Sequence, residues 1–339
     1  MEYQAPLTDM QFLLHRVFRV EELWAGLPSL TNIVDRETAD AILGEGAKLC
    51  AEVIAPLNRN SDEQGAVFDN GSVSTPDGFA QAYRLYCEGG WGAISGDPEY
   101  GGMGMPKMLQ SCFEEMSQSG CISFTLHPML TAGASLSLSA HGSEQMKQTY
   151  LPSMYAGQWA GTMCLTEAHA GSDLGIMTSK AEASEGGSFR ISGTKIFITG
   201  GEQDLTENII HLVLARIPGA PEGPRGISMF VVPKILLNDD GSLGEPNNVS
   251  CGSIEHKMGV RGSATCVMNF DAATGFLVGE ANMGLNYMFT MMNYERLGMG
   301  IQGVGAAQLS YQQAAAYAHD RLQGRAASGA KDADKKADP

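Results

Sequence analysis

Two stretches of the sequence place a threonine hydroxyl at the end of an extended apolar segment. The first, residues 163–173, reads Met-Cys-Leu-Thr-Glu-Ala-His-Ala-Gly-Ser-Asp and follows a short apolar run from Trp159. The second, residues 195–200, reads Lys-Ile-Phe-Ile-Thr-Gly and follows a turn at Gly193. Hydroxyls and backbone N–H groups at such strand ends could bond a planar heterocycle while apolar neighbours cover its face. The alternative interpretation is two buried strands whose threonines simply favour a sheet.

Helical segments precede these stretches and must help to position them. Apolar residues at helical spacing run through residues 7–24, which predicts an N-terminal helix. The pattern resumes after Asp35, a predicted N-cap, and we expect Pro56 to close that helix. Residues 58–75 are polar and predict a loop. Asp77 is the predicted cap of the next helix, and further helices are predicted near residues 105–119, 131–140 and 143–152.

From Trp159 the sequence changes to short β-rich runs separated by turn residues. The predicted strands cover residues 159–165, 189–192, 195–199, 209–216, 227–232 and 265–270. Short strands at regular spacing predict a small antiparallel sandwich or barrel. Helical periodicity returns at Gly284 with a Met-rich stripe, which we interpret as core packing continued through Val304 and Tyr311. The last residues, 326–339, are polar and predict a disordered tail.

Composition disfavours several classes of protein. A formal net charge of -16 argues against nucleic acid and anionic membranes as partners. The seven cysteines include no C-x-x-C pair, which indicates reduced thiols in a cytosolic protein. No apolar run approaches the roughly 18 residues of a membrane span, and the N-terminal residues show no signal-peptide pattern, so we expect a cytoplasmic protein. The seven histidines lack ligand spacing, so no metal is predicted.

Together, the two threonine stretches resemble motifs of the acyl-CoA dehydrogenases, flavoproteins that oxidise the Cα–Cβ bond of acyl-CoA thioesters. The first is similar to the family's Leu-Thr-Glu-Pro-x-x-Gly-Ser-Asp motif and the second to its Lys-x-Trp-Ile-Thr-x-Gly motif. Ala168 stands where the family usually has Pro, and Phe197 where it usually has Trp. Residues 258–263 also resemble the family's Met-Gly-x-Arg-Gly-Ser segment. The N-terminal extension is similar to that of a bacterial subgroup that includes the 3-methylmercaptopropionyl-CoA dehydrogenases.

The resemblance implies FAD as the cofactor. The residues implied to line the flavin are Met163, Leu165, Thr166, Phe197 and Thr199.

The resemblance also implies substrate and partner contacts. Ser172 and Arg261 are implied to help hold the acyl-CoA. Arg321 lies where the family has an Arg that reaches the FAD pyrophosphate of a neighbouring subunit, which implies a homo-oligomer for the full-length protein. An electron-transfer flavoprotein or a similar acceptor is the implied redox partner.

The expected fold class is α+β multidomain, with a helical domain, a central antiparallel β sandwich or barrel, and the start of a C-terminal helical bundle. The expected boundaries are a helical extension at 1–34, a helical domain at 35–158, a β domain at 159–280, a first bundle helix at 281–325 and a tail at 326–339. The family's usual catalytic glutamate lies in a later Tyr-Glu-Gly motif, which does not follow Arg325. The resemblance therefore suggests a C-terminally truncated chain.

Oxidation of an unactivated Cα–Cβ bond needs a base for the α-proton, a hydride acceptor and hydrogen bonds to the thioester oxygen. A buried carboxylate suits the base, because burial raises its pKa. Glu295 is the residue we nominate, since a minority of the family takes its base from this helix position. The competing interpretation is a structural Glu295, with the base in sequence outside this chain. Arg296 is implied to tune charge near the reacting carbons, or else to form a surface salt bridge.

Three alternatives to an active dehydrogenase remain open from the sequence. One is a catalytically incomplete FAD-binding fragment, and another is a related flavin oxidase that reacts with oxygen. The third is a scaffold that binds a partner and no cofactor.

Overall fold

The computed structural model describes residues 3–31, 33–322, 324 and 327–329. Two helical regions flank a β region, so the predicted order is confirmed. The helices are α1 (Leu7–Phe12), α2 (Val20–Ala25), α3 (Arg36–Leu49), α4 (Leu57–Gln64), α5 (Phe79–Glu88), α6 (Lys107–Gly120), α7 (Ile122–His141), α8 (Glu144–Tyr155) and α9 (Gly284–Asp320). The strands are β1 (Val67–Asp69), β2 (Ser72–Ser74), β3 (Trp159–Cys164), β4 (Lys180–Ala183), β5 (Phe189–Thr199), β6 (Asn208–Arg216), β7 (Ile227–Pro233), β8 (Ile235–Leu237), β9 (Leu243–Pro246), β10 (Val249–Ile254) and β11 (Thr265–Leu277).

The N-terminal helical pattern is interrupted. Leu13–Val17 forms a turn of π-helix after α1, and Arg19 adopts a φ of 48°, so residues 7–24 are not one helix. Asp35 is the predicted N-cap of α3, and its side chain accepts a hydrogen bond from the Thr38 backbone N–H at 2.8 Å. This bond satisfies one of the N–H groups that a helix start leaves free.

The polar segment at residues 58–75 is not a loop. It contains most of α4 and the two-stranded hairpin β1–β2, whose turn passes through Asn70 and Gly71 at positive φ. Leu57 packs against the N-terminal core and Val73 is buried, so a few apolar contacts fix elements that are otherwise polar. Composition alone therefore gave the wrong prediction for this segment.

Two helix ends also differ from the prediction. The cap before α5 is Gly78, at a φ of 89°, and not Asp77. Ser143 caps α8 as expected, but Pro152 lies inside that helix, which continues to Tyr155.

The β region forms one seven-stranded sheet with the order β10-β11-β5-β4-β6-β3. Strand β7 pairs with both β6 and β11, so five of the strands close into a barrel-like ring. Most pairs are antiparallel as predicted, but β3 and β4 each pair with β6 in parallel, which the strictly antiparallel prediction lacked. Residues 189–192 and 195–199 belong to the single strand β5, which continues through Gly193.

Helix α7 connects the helical and β regions. It is buried along most of its length and packs on β3, where the Gly161 N–H donates to Thr131 Oγ1 at 3.0 Å. Helix α7 is therefore packed directly on the strand that leads into the first threonine stretch.

Helix α9 has a buried and an exposed side. Met288, Met291 and Glu295 are buried, whereas Val304 and Tyr311 are exposed, so the predicted core stripe does not continue that far. Leu297 and Tyr317 add to the exposed apolar surface. Of the predicted tail, only residues 327–329 are among the described ones.

The described residues offer neither a membrane-spanning helix nor a metal-binding cluster. Their helices include none that is both long and apolar enough to span a membrane. Their His, Cys, Asp and Glu side chains form no group of three or more that could hold a metal ion.

Candidate active site

The two threonine stretches meet directly. The Ile196 backbone N–H of β5 donates to the Thr166 backbone oxygen at 2.8 Å, just beyond the end of β3. Thr199 ends β5 and pairs in register with Thr265 of β11. Both Thr166 and Thr199 are half-buried, so each residue lies at the boundary between the sheet and solvent.

A buried ion pair fixes this junction. Lys195 Nζ donates to Glu167 Oε1 at 2.9 Å and to the Leu165 backbone oxygen at 3.0 Å. The pair links one residue of each stretch, and the sequence analysis did not single it out. A Lys and a Glu in apolar strands are the signal that could have revealed it, because such charges are rarely buried unless paired.

Glu167 is satisfied on both carboxyl oxygens. Oε2 accepts from the Thr178 N–H at 2.7 Å and Oγ1 at 2.8 Å, and Oε1 accepts from the Ser179 N–H at 3.0 Å and Oγ at 2.6 Å. Burial by itself raises the pKa of Glu167, but Lys195 and the Ser179 and Thr178 hydrogen bonds outweigh it and lower that pKa to about 2. Burial lowers the pKa of Lys195, and Glu167 opposes that change.

Phe197 stands out from the sheet beside the two threonines. Its φ of 60° lies in the left-handed region, which is strained for an aromatic residue, and its side chain is 57% exposed. A shift in register between β5 and β11 occurs at the same place. A strained, exposed aromatic ring beside two half-buried hydroxyls fits a site that stacks on a flat ligand, such as the flavin of FAD.

The remaining residues of the first stretch line the same junction. Leu165 is buried and Met163 is half-buried at the end of β3.

Next to Gly200 lies His127 of α7, whose Nε2 has no hydrogen-bond partner among the described residues. Burial lowers the pKa of His127 to about 4, so the imidazole is neutral at pH 7.

Three of the predicted residues lie on exposed segments. Ser172 is in the turn after the first stretch, and Arg321 directly follows α9. Arg261 is also exposed; its backbone N–H donates to Asp62 of α4 at 3.3 Å. The structure therefore brings the segment of Arg261 against the N-terminal helices, and it leaves all three side chains accessible.

Glu295 and Arg296 lie on different sides of α9. Glu295 is 7% exposed and packs against Gly133 of α7, where a Cβ atom would overlap its Oε1. Arg296 is exposed; it donates to Asn293 Oδ1 at 3.0 Å and lies 5.5 Å from the Phe289 ring centroid. Neighbours in sequence thus have opposite environments, and Arg296 is not beside the buried carboxyl.

Glu295 is a buried acid without a donor. Within the described part of the chain, its Oε1 has no hydrogen-bond partner. Burial, and then the nearby Glu114, raises the pKa of Glu295 to about 9. The carboxyl is therefore protonated at pH 7.

Helix α6 supplies a polar cluster that the sequence analysis missed. Gln110 Nε2 donates to Glu114 Oε1 and to the Tyr294 hydroxyl, each at 2.8 Å, and the Tyr294 hydroxyl also contacts Glu114 Oε1. Lys107 Nζ lies 5.9 Å from the Tyr294 ring centroid. The α6 residues Lys107, Gln110 and Glu114 face Tyr294 of α9 only because of the helix packing, so no local sequence signal marks them.

A cavity of about 310 Å³ lies beside this cluster. Its lining residues come from the glycine-rich segment after α5 and from α6, α7, α8 and α9: Gly92, Ser95, Gly96, Asp97, Pro98, Gly104, Lys107, Gln110, Ala132, Leu136, Ser139, Tyr155 and Tyr294.

Comparison with known proteins identifies the chain's relatives. Three family models match in sequence order: the acyl-CoA dehydrogenase N-terminal domain at residues 36–158, the middle domain at 162–273 and the C-terminal domain at 282–334.

Curated proteins and a solved structure agree with the family models. The chain is 46% identical over 331 residues to 3-methylmercaptopropionyl-CoA dehydrogenase of Ruegeria pomeroyi, covering 97% of this chain and 56% of that protein. It is 39% identical over 296 residues to a butyryl-CoA dehydrogenase of Syntrophomonas wolfei, covering 84% and 48%. A Bacillus anthracis acyl-CoA dehydrogenase complexed with FAD superposes with a TM-score of 0.70 at 24% identity, covering 86% and 45%. The chain thus spans about half the length of the curated relatives that it matches.

Proposed function

Because the chain belongs to the acyl-CoA dehydrogenase family, we propose that it supplies the FAD site and part of the acyl-CoA site of an enzyme that converts an acyl-CoA thioester to the trans-2-enoyl-CoA. The observation that carries this proposal is the junction of the two threonine stretches, fixed by the Glu167–Lys195 pair. The relative complexed with FAD supports the choice of cofactor.

The residues proposed to hold FAD are Met163, Leu165, Thr166, Phe197 and Thr199, with Arg321 toward a neighbouring subunit. Phe197 offers a ring face and the threonines offer hydroxyls, which matches a flat heterocycle with polar edges. The chemistry that FAD supplies when bound is acceptance of the hydride from Cβ.

We propose Ser172 and Arg261 as contacts to the CoA portion, since both are exposed and can reach a charged ligand. The acyl group is proposed to be short, because two relatives are named for 3-methylmercaptopropionyl-CoA and butyryl-CoA. An electron-transfer flavoprotein or a similar acceptor is the proposed redox partner, and the full-length protein is proposed to be a homo-oligomer.

Glu295 remains the proposed base for the α-proton. Its carboxyl is buried and lacks a donor on Oε1, so that oxygen is available to accept a proton once ionised. Since its pKa is about 9, proton abstraction by Glu295 should increase as the pH rises toward that value. Arg296 is proposed to influence the site only through charge, because its side chain faces away from Glu295.

The test is reconstitution of the purified 339-residue protein with FAD, followed by addition of butyryl-CoA without oxygen. Bound FAD that loses its visible absorbance supports the dehydrogenase. Bound FAD that keeps its absorbance indicates an incomplete cofactor-binding fragment, and peroxide formed in air indicates an oxidase. A folded protein that binds no FAD would contradict the proposal.

A further inference from the structure

Glu114 and Glu295 are buried carboxyl groups on the packed helices α6 and α9, and Tyr294, the residue before Glu295, contacts Glu114 through its hydroxyl. We propose that Glu114 is a positioning residue that keeps the Glu295 carboxyl protonated while the site holds no ligand. The consequence for catalysis rests on the proposed function, whereas the protonation state does not.

Glu114 and Glu295 are equally buried, but Glu114 is the better hydrogen-bonded of the two carboxyls. Its Oε1 accepts from Gln110 Nε2 at 2.8 Å and from the Tyr294 hydroxyl. Burial raises the pKa of Glu114, but the hydrogen bonds from Tyr294 and Gln110 and the charge of Lys107 oppose that change. These groups favour the ionised form, because a carboxylate is an acceptor only.

Glu295 has the opposite surroundings. On α7 it packs against Gly133, which brings no charge, and its Oε1 lacks a donor within the described residues. The titratable and charged groups that face it are Glu114 and Lys107 from α6 and Tyr294 from its own helix. Lys107 Nζ lies 5.9 Å from the Tyr294 ring centroid, and its charge lowers the pKa of Glu114 rather than that of Glu295.

Lys107 offsets part of the charge of Glu114, and no cation among the described residues does the same for Glu295. Two nearby carboxylates in a site of low polarity cannot both ionise readily, so one keeps its proton. The proton belongs on the group without donors, which is Glu295. The raised pKa of Glu295, caused by burial and then by Glu114, agrees with this assignment.

This arrangement would control when Glu295 can act as a base. A protonated carboxyl cannot accept the α-proton, so proton abstraction would require a higher pH or a ligand that brings positive charge or displaces Glu114. Glu114 would then determine the pH range of the reaction without touching the substrate.

Infrared difference spectroscopy of the 339-residue protein tests the inference without substrate, since it detects the C=O stretch of protonated carboxyls. A band present at pH 7 should be absent in Glu295→Gln. In Glu114→Gln the titration midpoint of that band should fall by roughly one to three pH units, because a like charge has been removed. Glu115→Gln, on the half-buried neighbouring residue of α6, is the matched control and should leave the midpoint in place.

Tyr294→Phe provides a second route if Glu114→Gln does not fold. This substitution removes one hydrogen-bond donor to Glu114 and leaves both carboxyls in place. Glu114 should then compete for the proton, and the titration midpoint of the Glu295 band should fall by less than in Glu114→Gln. A band that survives in Glu295→Gln, or a midpoint that neither Glu114→Gln nor Tyr294→Phe moves, would overturn the inference.

The pH–rate profile of acyl-CoA oxidation separates this inference from the proposed function. If the acidic limb of the pH–rate profile shifts together with the titration midpoint of the infrared band in Glu114→Gln, both this inference and the proposed role of Glu295 as the base are supported. If the infrared midpoint moves and the rate profile does not, Glu114 still controls Glu295, and Glu295 is not the base.

Discussion

Glu167 and Glu295 are both buried carboxyl groups, and their surroundings differ in almost every respect. Glu167 pairs with Lys195 and accepts further hydrogen bonds from Ser179 and Thr178. These partners lower the pKa of Glu167 to about 2. Glu295 has an oxygen without a donor among the described residues, and its pKa rises to about 9. The first region uses a fixed charge to hold backbone in place. The second leaves an acid that can change its protonation state.

Removal of Lys195 should cause the largest loss of stability at pH 7. Lys195→Met leaves Glu167 buried without its cation, which should reduce the free energy of unfolding by about 3–5 kcal/mol. Chemical denaturation at pH 7 measures it. Lys180→Met, on the exposed lysine of β4, is the control and should change stability by less than about 0.5 kcal/mol. Equal effects of the two substitutions would mean that the pair does not stabilise the junction.

The pH dependence of stability should distinguish the two acids. The pKa of Glu295 in the folded protein is raised above its unfolded value of about 4.3. Its contribution to the free energy of unfolding is therefore fully present below about pH 4.3 and is lost as the pH rises toward about 9. Glu167 has the opposite sign: its contribution is present above its unfolded pKa and is lost as the pH falls toward about 2.

Glu295→Gln should therefore become more stable relative to wild type as the pH rises from 5 to 9, by at most about 1.4 kcal/mol per pH unit. Urea unfolding at several pH values gives this difference. Glu88→Gln, on an exposed residue at the end of α5, should show no such trend. A flat difference for Glu295→Gln would show that Glu295 is ionised in the folded protein.

The hydroxyls at the fixed junction should matter for cofactor affinity. In Thr166→Val/Thr199→Val, polar atoms of FAD should lose their hydrogen-bond partners, while the fold changes little. Each lost hydrogen bond should weaken the binding free energy of FAD by about 1–3 kcal/mol. Fluorescence titration of the apoprotein with FAD measures the Kd. Thr194→Val, at an exposed position of β5 where Thr194 bonds Asn269, is a control that should bind FAD normally. Unchanged affinity in the double variant would remove these threonines from the proposed site.

The close packing around Glu295 should give the smallest of these effects. A Cβ at Gly133 would overlap Glu295 Oε1 and lie 3.1 Å from Met291 Cγ, so Gly133→Ala should destabilise the protein by about 1–3 kcal/mol despite the better helix propensity of Ala. Gly44→Ala in α3, where nothing lies within 4 Å of the new Cβ, should stabilise by about 0.5–1 kcal/mol. Thermal unfolding compares the two. Stabilisation by both would show that the Glu295 carboxyl moves freely.

The sequence by itself determined the order of the regions and several helix starts. Asp35 and Ser143 cap their helices as predicted, because capping depends on residues three positions apart. Thr166 and Thr199 could be proposed as cofactor contacts because each lies in a short motif with its neighbours. The polar segment at 58–75 was predicted wrongly, because burial of single residues such as Val73 outweighed its composition.

The tertiary structure alone decided which distant residues meet. Lys195 reaches Glu167 across 28 residues of sequence, and Tyr294 reaches Glu114 across 180. It also placed Glu295 in the interior and Arg296 at the surface, although the two are adjacent. Local rules report spacing along the chain, whereas burial and charge pairing depend on which surfaces pack together. For that reason the two threonine motifs could be identified in the sequence, whereas the burial of Glu295 against α7 could not.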